Sequence, residues 1–146
     1  MTVLCRLCLL LTLLGGSGMA LAQQSKMFGP YELHYSVVNT TFLSPEVAAT
    51  YGIVRGKNRG IVTLAVREHL AEGSETRPML LQGRTWDLIQ KQPLDFVEIR
   101  EGTAVYYIAD FKFINEEWRF FEVTFRPEGA DQTDTFQFKR QLYFEQ

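Results

Sequence analysis

Cysteine is nearly missing from this chain. Its two copies, Cys5 and Cys8, both fall within the first 22 residues, so the stretch from Gln23 to Gln146 has no thiol. A domain without thiols holds no disulfide, no thiolate nucleophile and no cysteine-ligated metal. Histidine is almost as scarce. His34 and His69 are the only two, 35 residues apart, and metal centres usually need three or four ligands at recognisable spacing. No metal ligand set and no cofactor is expected. The bland reading, one surface histidine on each of two strands, is preferred. The sequence also has no Gly-x-Ser-x-Gly elbow. Gly56-Lys57-Asn58-Arg59-Gly60 lacks the spacing and the following helix of a phosphate loop. Carboxylates are plentiful, so neighbours such as Glu116-Glu117 or Glu98/Glu101 give no evidence for acid–base catalysis. No catalytic residue is assigned.

A broad basic field is missing too. With 15 basic and 17 acidic residues the net charge is −2, which excludes an electrostatic footprint for nucleic acid. Long hydrophobic runs are confined to the start of the chain. Arg6, the apolar run Leu7–Leu14 and the small-residue pattern ending Ala20-Leu21-Ala22 read as a cleaved signal peptide over residues 1–22. The run is too short to span a bilayer, and Gln23 stands where lipidation would need a cysteine. The expectation is export to the periplasm, without stable membrane insertion after leader removal, leaving one domain over residues 23–146. An uncleaved anchor is the alternative.

What the chain does have is aromatics and alternation. All 19 aromatic residues follow the leader, 13 of them from Phe96 onward. The dominant period is two, the signature of strands. Tyr31, Leu33, Tyr35 and Val37 share one face, as do Val62, Leu64 and Val66. Val105, Tyr107, Ala109, Phe111 and Phe113 form a third set, with Arg119, Phe121, Val123 and Phe125 a fourth. A last strand carries Phe136, Phe138, Leu142 and Phe144, and two weaker strands lie at 78–89 and 94–101. One short helix is predicted over 45–51, with Ser44 as N-cap, Pro45 in the first helical position and Gly52 as the left-handed stop. About seven strands without helix–strand alternation predict an all-β, antiparallel, immunoglobulin-like sandwich, with a small β-barrel as the alternative. The five prolines are expected at element boundaries.

Two surface candidates emerge. A hairpin joining 104–114 to 118–126 around Asn115-Glu116-Glu117 would set Tyr106, Ile108, Trp118 and Phe120 together on its outer face. These four form the binding candidate, since exposed aromatic clusters favour contact with partners; the competing reading is that a helix or loop covers them. Arg55, Lys57 and Arg59 are the second candidate, an anion or acidic-partner contact. Its counterpart is a solvated turn in which Gly56 and Gly60 take positive φ. Asn39-Thr40-Thr41 matches a glycosylation acceptor and is read as accidental.

The stretches Pro45–Ile53, Gly60–Val66 and Ile99–Ala109 resemble a family of small periplasmic proteins of Gram-negative bacteria, catalogued only as domain of unknown function 4426. The resemblance spans nearly the whole chain after the leader. It implies a periplasmic, immunoglobulin-like sandwich and brings no activity and no site residues. Three functions then compete. The first is a periplasmic binding or interaction module without catalysis, whose partner is an unknown protein. The second is a carrier of a small apolar ligand, held between the sheets by Tyr35, Tyr107, Phe111 and Phe121. The third is an enzyme of unknown type.

Overall fold

The computed structural model describes residues 24–145; the leader expected over residues 1–22, with Cys5, Cys8 and the cleavage expected after Ala22, lies outside them. Ten strands form: β1 (Gln24–Phe28), β2 (Tyr31–Asn39), β3 (Arg59–His69), β4 (Ser74–Arg77), β5 (Met79–Trp86), β6 (Lys91–Leu94), β7 (Val97–Glu101), β8 (Ala104–Lys112), β9 (Glu117–Pro127) and β10 (Asp134–Leu142). They make two antiparallel sheets. One runs β1-β2-β3-β8-β7, with β4 pairing the far end of β3; the other runs β10-β9-β5-β6. Both sheets keep free edges, so this is a sandwich and not a closed barrel. Seven strands fell short of ten because β1, β4 and β6 are only four or five residues long, too short for alternation to declare itself.

The inner faces follow the alternation. Leu33, Val62, Leu64, Phe111, Phe121, Val123 and Phe125 are buried almost completely. Rings from the two sheets meet edge to face: Phe111 lies 5.2 Å from Phe121, and Phe28 lies 5.1 Å from Phe125. Such contacts supply the cohesion that disulfides would otherwise contribute. The four residues proposed to line a carrier cavity are part of this filled interior. Phe111 and Phe121 pack on each other, Tyr35 packs on Phe136 at 4.9 Å, and the Tyr107 hydroxyl accepts a hydrogen bond from Met79 N at 2.9 Å.

The helix α1 (Pro45–Thr50) forms as its caps dictate. The Ser44 hydroxyl accepts from Val47 N at 3.2 Å, and Gly52 takes φ +68°. Pro93 departs from expectation by sitting inside β6. It is tolerated because β6 is an edge strand with one side unpaired.

The 104–126 hairpin does not form. β8 pairs with β3 and β7, whereas β9 pairs with β10 and β5. The connection at 113–116 therefore passes from one sheet to the other, with Glu116 at φ +63°. Alternation decides which face of a strand is apolar, and two inward faces meet equally well across a sandwich as side by side.

Gly60 is needed for close packing, not for positive φ: a Cβ there would stand 2.5 Å from Phe111 Cζ. Gly60→Ala is expected to cost about 1–3 kcal/mol by overpacking. Gly56→Ala, whose nearest obstacle is the Asn58 side chain at 3.3 Å, should cost markedly less. Thermal melts of the two variants make the comparison.

Candidate functional site

The split of β8 from β9 divides the aromatic candidate. Tyr106 and Ile108 lie on the outer face of the β8 sheet, Trp118 and Phe120 on the outer face of the β9 sheet, at opposite sides of the sandwich. Ile108 is buried there and Tyr106 half-buried. They pack with Ile61, Ile99, Leu43, Tyr51 and Ile53 in a second apolar cluster beneath α1 and its flanking chain. The Tyr51 hydroxyl donates to Glu101 Oε1 at 2.5 Å. Burial, reinforced by hydrogen bonding with Tyr51 and Glu101, pushes the Tyr106 phenol well above the usual tyrosine range. A cleft of about 160 Å³ remains between this cluster and α1.

Trp118 and Phe120 are different. Trp118 is half exposed, and Phe120 stacks on Trp86 with ring centres 5.7 Å apart. With Leu88, Ile89, Ile114 and Lys139 they bound an open groove of about 480 Å³. Leu88 and Ile89 come from the turn joining β5 to β6, and they are 98% and 83% exposed. Four of the five hairpin turns, at Gly29, Gly73, Gly102 and Gly129, use a glycine at positive φ. The β5–β6 turn has no glycine. Instead the Asp87 carboxylate accepts from Ile89 N at 2.7 Å and Gln90 N at 2.6 Å, while Asp87 N donates to Gln90 O. This side-chain turn holds two large aliphatics out in water.

Asp87 is fixed from below by Arg119, which is 3% exposed. Arg119 lies on the inner face of β9, where alternation placed it. Its Nε donates to Thr85 Oγ1 at 2.9 Å, and Nη1 reaches Glu117 Oε1 at 2.9 Å and Asp87 Oδ2 at 3.3 Å. Its guanidinium also lies over the Phe111 ring, 5.6 Å from the centroid. Hydrogen bonds from the Gln90 and Ile89 amides, with the nearby Arg119 charge, hold the Asp87 carboxyl below its ordinary value. Both carboxylates lining the groove are thus committed to one buried cation. Lys139, its Nζ 5.0 Å from the Trp118 ring centroid, faces the same groove with no carboxylate partner among the described residues. Periodicity gave no access to Leu88 and Ile89; the Asp87-to-Gln90 spacing between two strands was the available signal.

The basic loop is partly satisfied within the fold, although the buried Arg59 Nε has no hydrogen-bond partner. Arg59 pairs with Asp110 on β8, Arg55 Nη2 donates to Thr41 O at 3.1 Å, and Lys57 Nζ sits 5.6 Å from the Phe144 ring centroid. Gly56 and Gly60 are not among the positive-φ glycines, so the turn owes its shape to Thr40. The Thr40 hydroxyl donates to Gly56 O and accepts from Gly56 N. The two histidines, read as separate surface residues, converge on one carboxylate, which hydrogen-bonds His69 alone; the buried His34 Nε2 has no hydrogen-bond partner. His69 Nε2 lies 2.6 Å and His34 Nε2 3.6 Å from Glu32 Oε2. Among the described residues no group of three or more His, Cys, Asp or Glu is arranged to hold a metal ion. Nor is any described helix long and apolar enough to cross a membrane.

The family described as Domain of unknown function (DUF4426) matches residues 25–145. The chain belongs to this family. The DUF4426 chain is similar to the crystal structure of a DUF4426 family protein from Pseudomonas aeruginosa PAO1, with 27% identity and a TM-score of 0.72 over 85% of this chain and 97% of that one. It is also similar to two structures of FetP from uropathogenic Escherichia coli strain F11. One is a copper-bound variant, at 10% identity and TM-score 0.59, covering 85% of this chain and 97% of that one. The other is FetP as isolated after recombinant expression in the periplasm, at 11% identity and TM-score 0.61, covering 86% and 96%. At those identities the FetP likeness shows the fold alone. No curated protein matches the chain.

The Asp87 ion pair yields a signed pH dependence. A carboxyl whose folded pKa is depressed adds stability that is complete above its unfolded value near 3.8 and is lost as pH falls through the folded value. Asp87→Asn is therefore expected to cost about 1.5–3 kcal/mol at pH 7. The gap to wild type should narrow below about pH 4, read as melting temperatures at pH 7 and pH 3.

Proposed function

We propose that this DUF4426 protein is a periplasmic binding module without catalytic activity, acting through the groove between the β5–β6 turn and Trp118. One observation carries the reading. A turn built on a carboxylate, itself pinned by a buried arginine, displays Leu88 and Ile89 almost wholly to water. Exposed aliphatics on a mobile loop would carry little weight. Here they are pre-ordered, which lowers the entropic cost of binding, and they adjoin Trp118, a residue type enriched at binding hot spots.

The non-catalytic half of the proposal rests on charge. Asp87 and Glu117, the two carboxylates at the groove, are both bonded to Arg119, an arrangement that suits a structural ion pair better than a general acid or base. The compartment rests on the leader read from residues 1–22 and on the periplasmic expression of FetP, a protein of the same fold. An interior carrier finds less support, because the residues proposed for it are already engaged in the core: Phe111 with Phe121, Tyr35 with Phe136 and Tyr107 with Met79 N. Tyr106 and Ile108 stand on the other sheet, beneath the α1 segment, and so take no part in this groove. Of the basic loop, Arg59 is already ion-paired with Asp110, and Arg55 and Lys57 are not among the residues that line the groove.

The test is chemical cross-linking of the exported protein in cells, combined with native mass spectrometry of the purified protein. Leu88→Ser/Ile89→Ser and Trp118→Ala are surface changes expected to leave the melting temperature within a few degrees. Each is expected to deplete the adducts seen with wild type. Adducts of unchanged identity and yield in both variants would remove the groove from the function.

A further inference from the structure

Resting on the groove as the binding site, we propose that its occupant is a single-chain amphiphile: an unbranched apolar chain ending in a monovalent anion, such as a long-chain fatty acid. The chain would lie against Trp118 and Phe120 under Leu88 and Ile89, with its head at Lys139.

Charge complementarity selects the head. Three ionised groups line the groove, Asp87, Glu117 and Lys139. The two carboxylates are bonded to Arg119 from the interior side, so they neither attract a cationic ligand strongly nor neutralise the lysine. Lys139 instead holds its ammonium over the Trp118 ring. An anion beside it would meet a positive charge that no carboxylate neutralises among the described residues. A single cation matches a single anionic group.

Size selects the tail and argues against larger partners. The groove, about 480 Å³, falls inside the range of roughly 300–1,000 Å³ typical of small-molecule sites. Beyond Trp86 and Phe120 the same face carries the Arg84–Glu122–Gln137 polar ladder, where the apolar core of a protein–protein interface would have to continue. A bilayer is the other apolar, anionic candidate. Recognition of an anionic membrane surface uses clusters of about four to eight basic residues, and the groove presents one. A monomeric amphiphile is what remains.

The experiment titrates purified full-length mature protein with sodium dodecanoate below its micellar concentration. Calorimetry is the primary readout, and tryptophan fluorescence the second, since Trp118 lies in the groove and Trp86 stacks beside it. Saturable one-to-one binding with a change in tryptophan emission is expected. Lys139→Glu should weaken it about tenfold, and Leu88→Ser/Ile89→Ser at least tenfold. Dodecanol and dodecyltrimethylammonium should bind more weakly than dodecanoate, in that order. Equal affinity for all three would overturn the anionic head. Binding only to vesicles of dioleoylphosphatidylglycerol, with none to dodecanoate, would replace the monomer by a membrane surface and overturn the proposal. If dodecanoate fails while the groove variants still deplete cellular adducts, the amphiphile is wrong and the binding module stands. If the groove variants change neither readout, both fall.

Discussion

One buried cation ties the two sheets to the surface feature that matters most. Arg119 stands at the end of the core with its guanidinium over Phe111 of the opposite sheet, and it is bonded to Thr85, Asp87 and Glu117 of its own. Taking an arginine out of water is unfavourable unless its donors are met; here Nε and Nη1 are met by three oxygens from two strands and a turn. Removing any one acceptor would leave part of that charge uncompensated. The same network therefore closes the core and fixes the shape of a solvent-facing loop. A glycine turn would have linked β5 to β6 with fewer demands, but it would not have coupled the loop to the interior.

The two outer faces of the sandwich have opposite fates. On the β8 sheet, the chain between β2 and β3 folds back as a short 3-10 turn, α1 and a loop, and it lays Leu43, Tyr51 and Ile53 over Ile61, Ile99 and Ile108. On the β9 sheet no comparable segment exists among the described residues. Polar ladders manage part of that face: Arg84 bonds Glu122 at 3.0 Å, and Glu122 accepts from Gln137 at 2.5 Å. Toward the Arg119 end the ladder gives way to Trp86, Phe120 and Trp118. Apolar surface is thus concentrated where charge pairing stops, beside the rigid Leu88–Ile89 turn.

Alternation in the sequence carried most of the fold, because burial on one face of a strand writes itself into every second residue. It identified the inner sets on β2, β3, β8, β9 and β10, and even placed Arg119 inward. Pairing partners were less legible. Val105–Phe111 and Phe121–Phe125 carry the same pattern whether they sit side by side or face each other, and only the competing claim of β3 on β8 decides. That ambiguity put Tyr106 and Ile108 beside Trp118 and Phe120, when the width of the sandwich separates them. The groove was half legible. Its aromatic half lies on a strand and obeys the period, whereas Leu88 and Ile89 lie in a turn, where exposure depends on three-dimensional hydrogen bonding.

Sequence neighbours pair as hairpins throughout: β1 with β2, β3 with β4, β5 with β6, β7 with β8 and β9 with β10. The bonds that assemble these hairpins into sheets are of another kind: β2 to β3 across the α1 segment, and β3 to β8 and β5 to β9, the last two closing loops of several dozen residues. Local hairpins form on a microsecond scale, while long loop closures set the pace of folding for all-β chains. The time at risk for a newly made chain is therefore the interval in which hairpins exist and the two long-range ladders do not. During that interval the edges of β3, β5, β8 and β9 are open to other chains. A core locked by a single arginine at its end would be among the last parts to set.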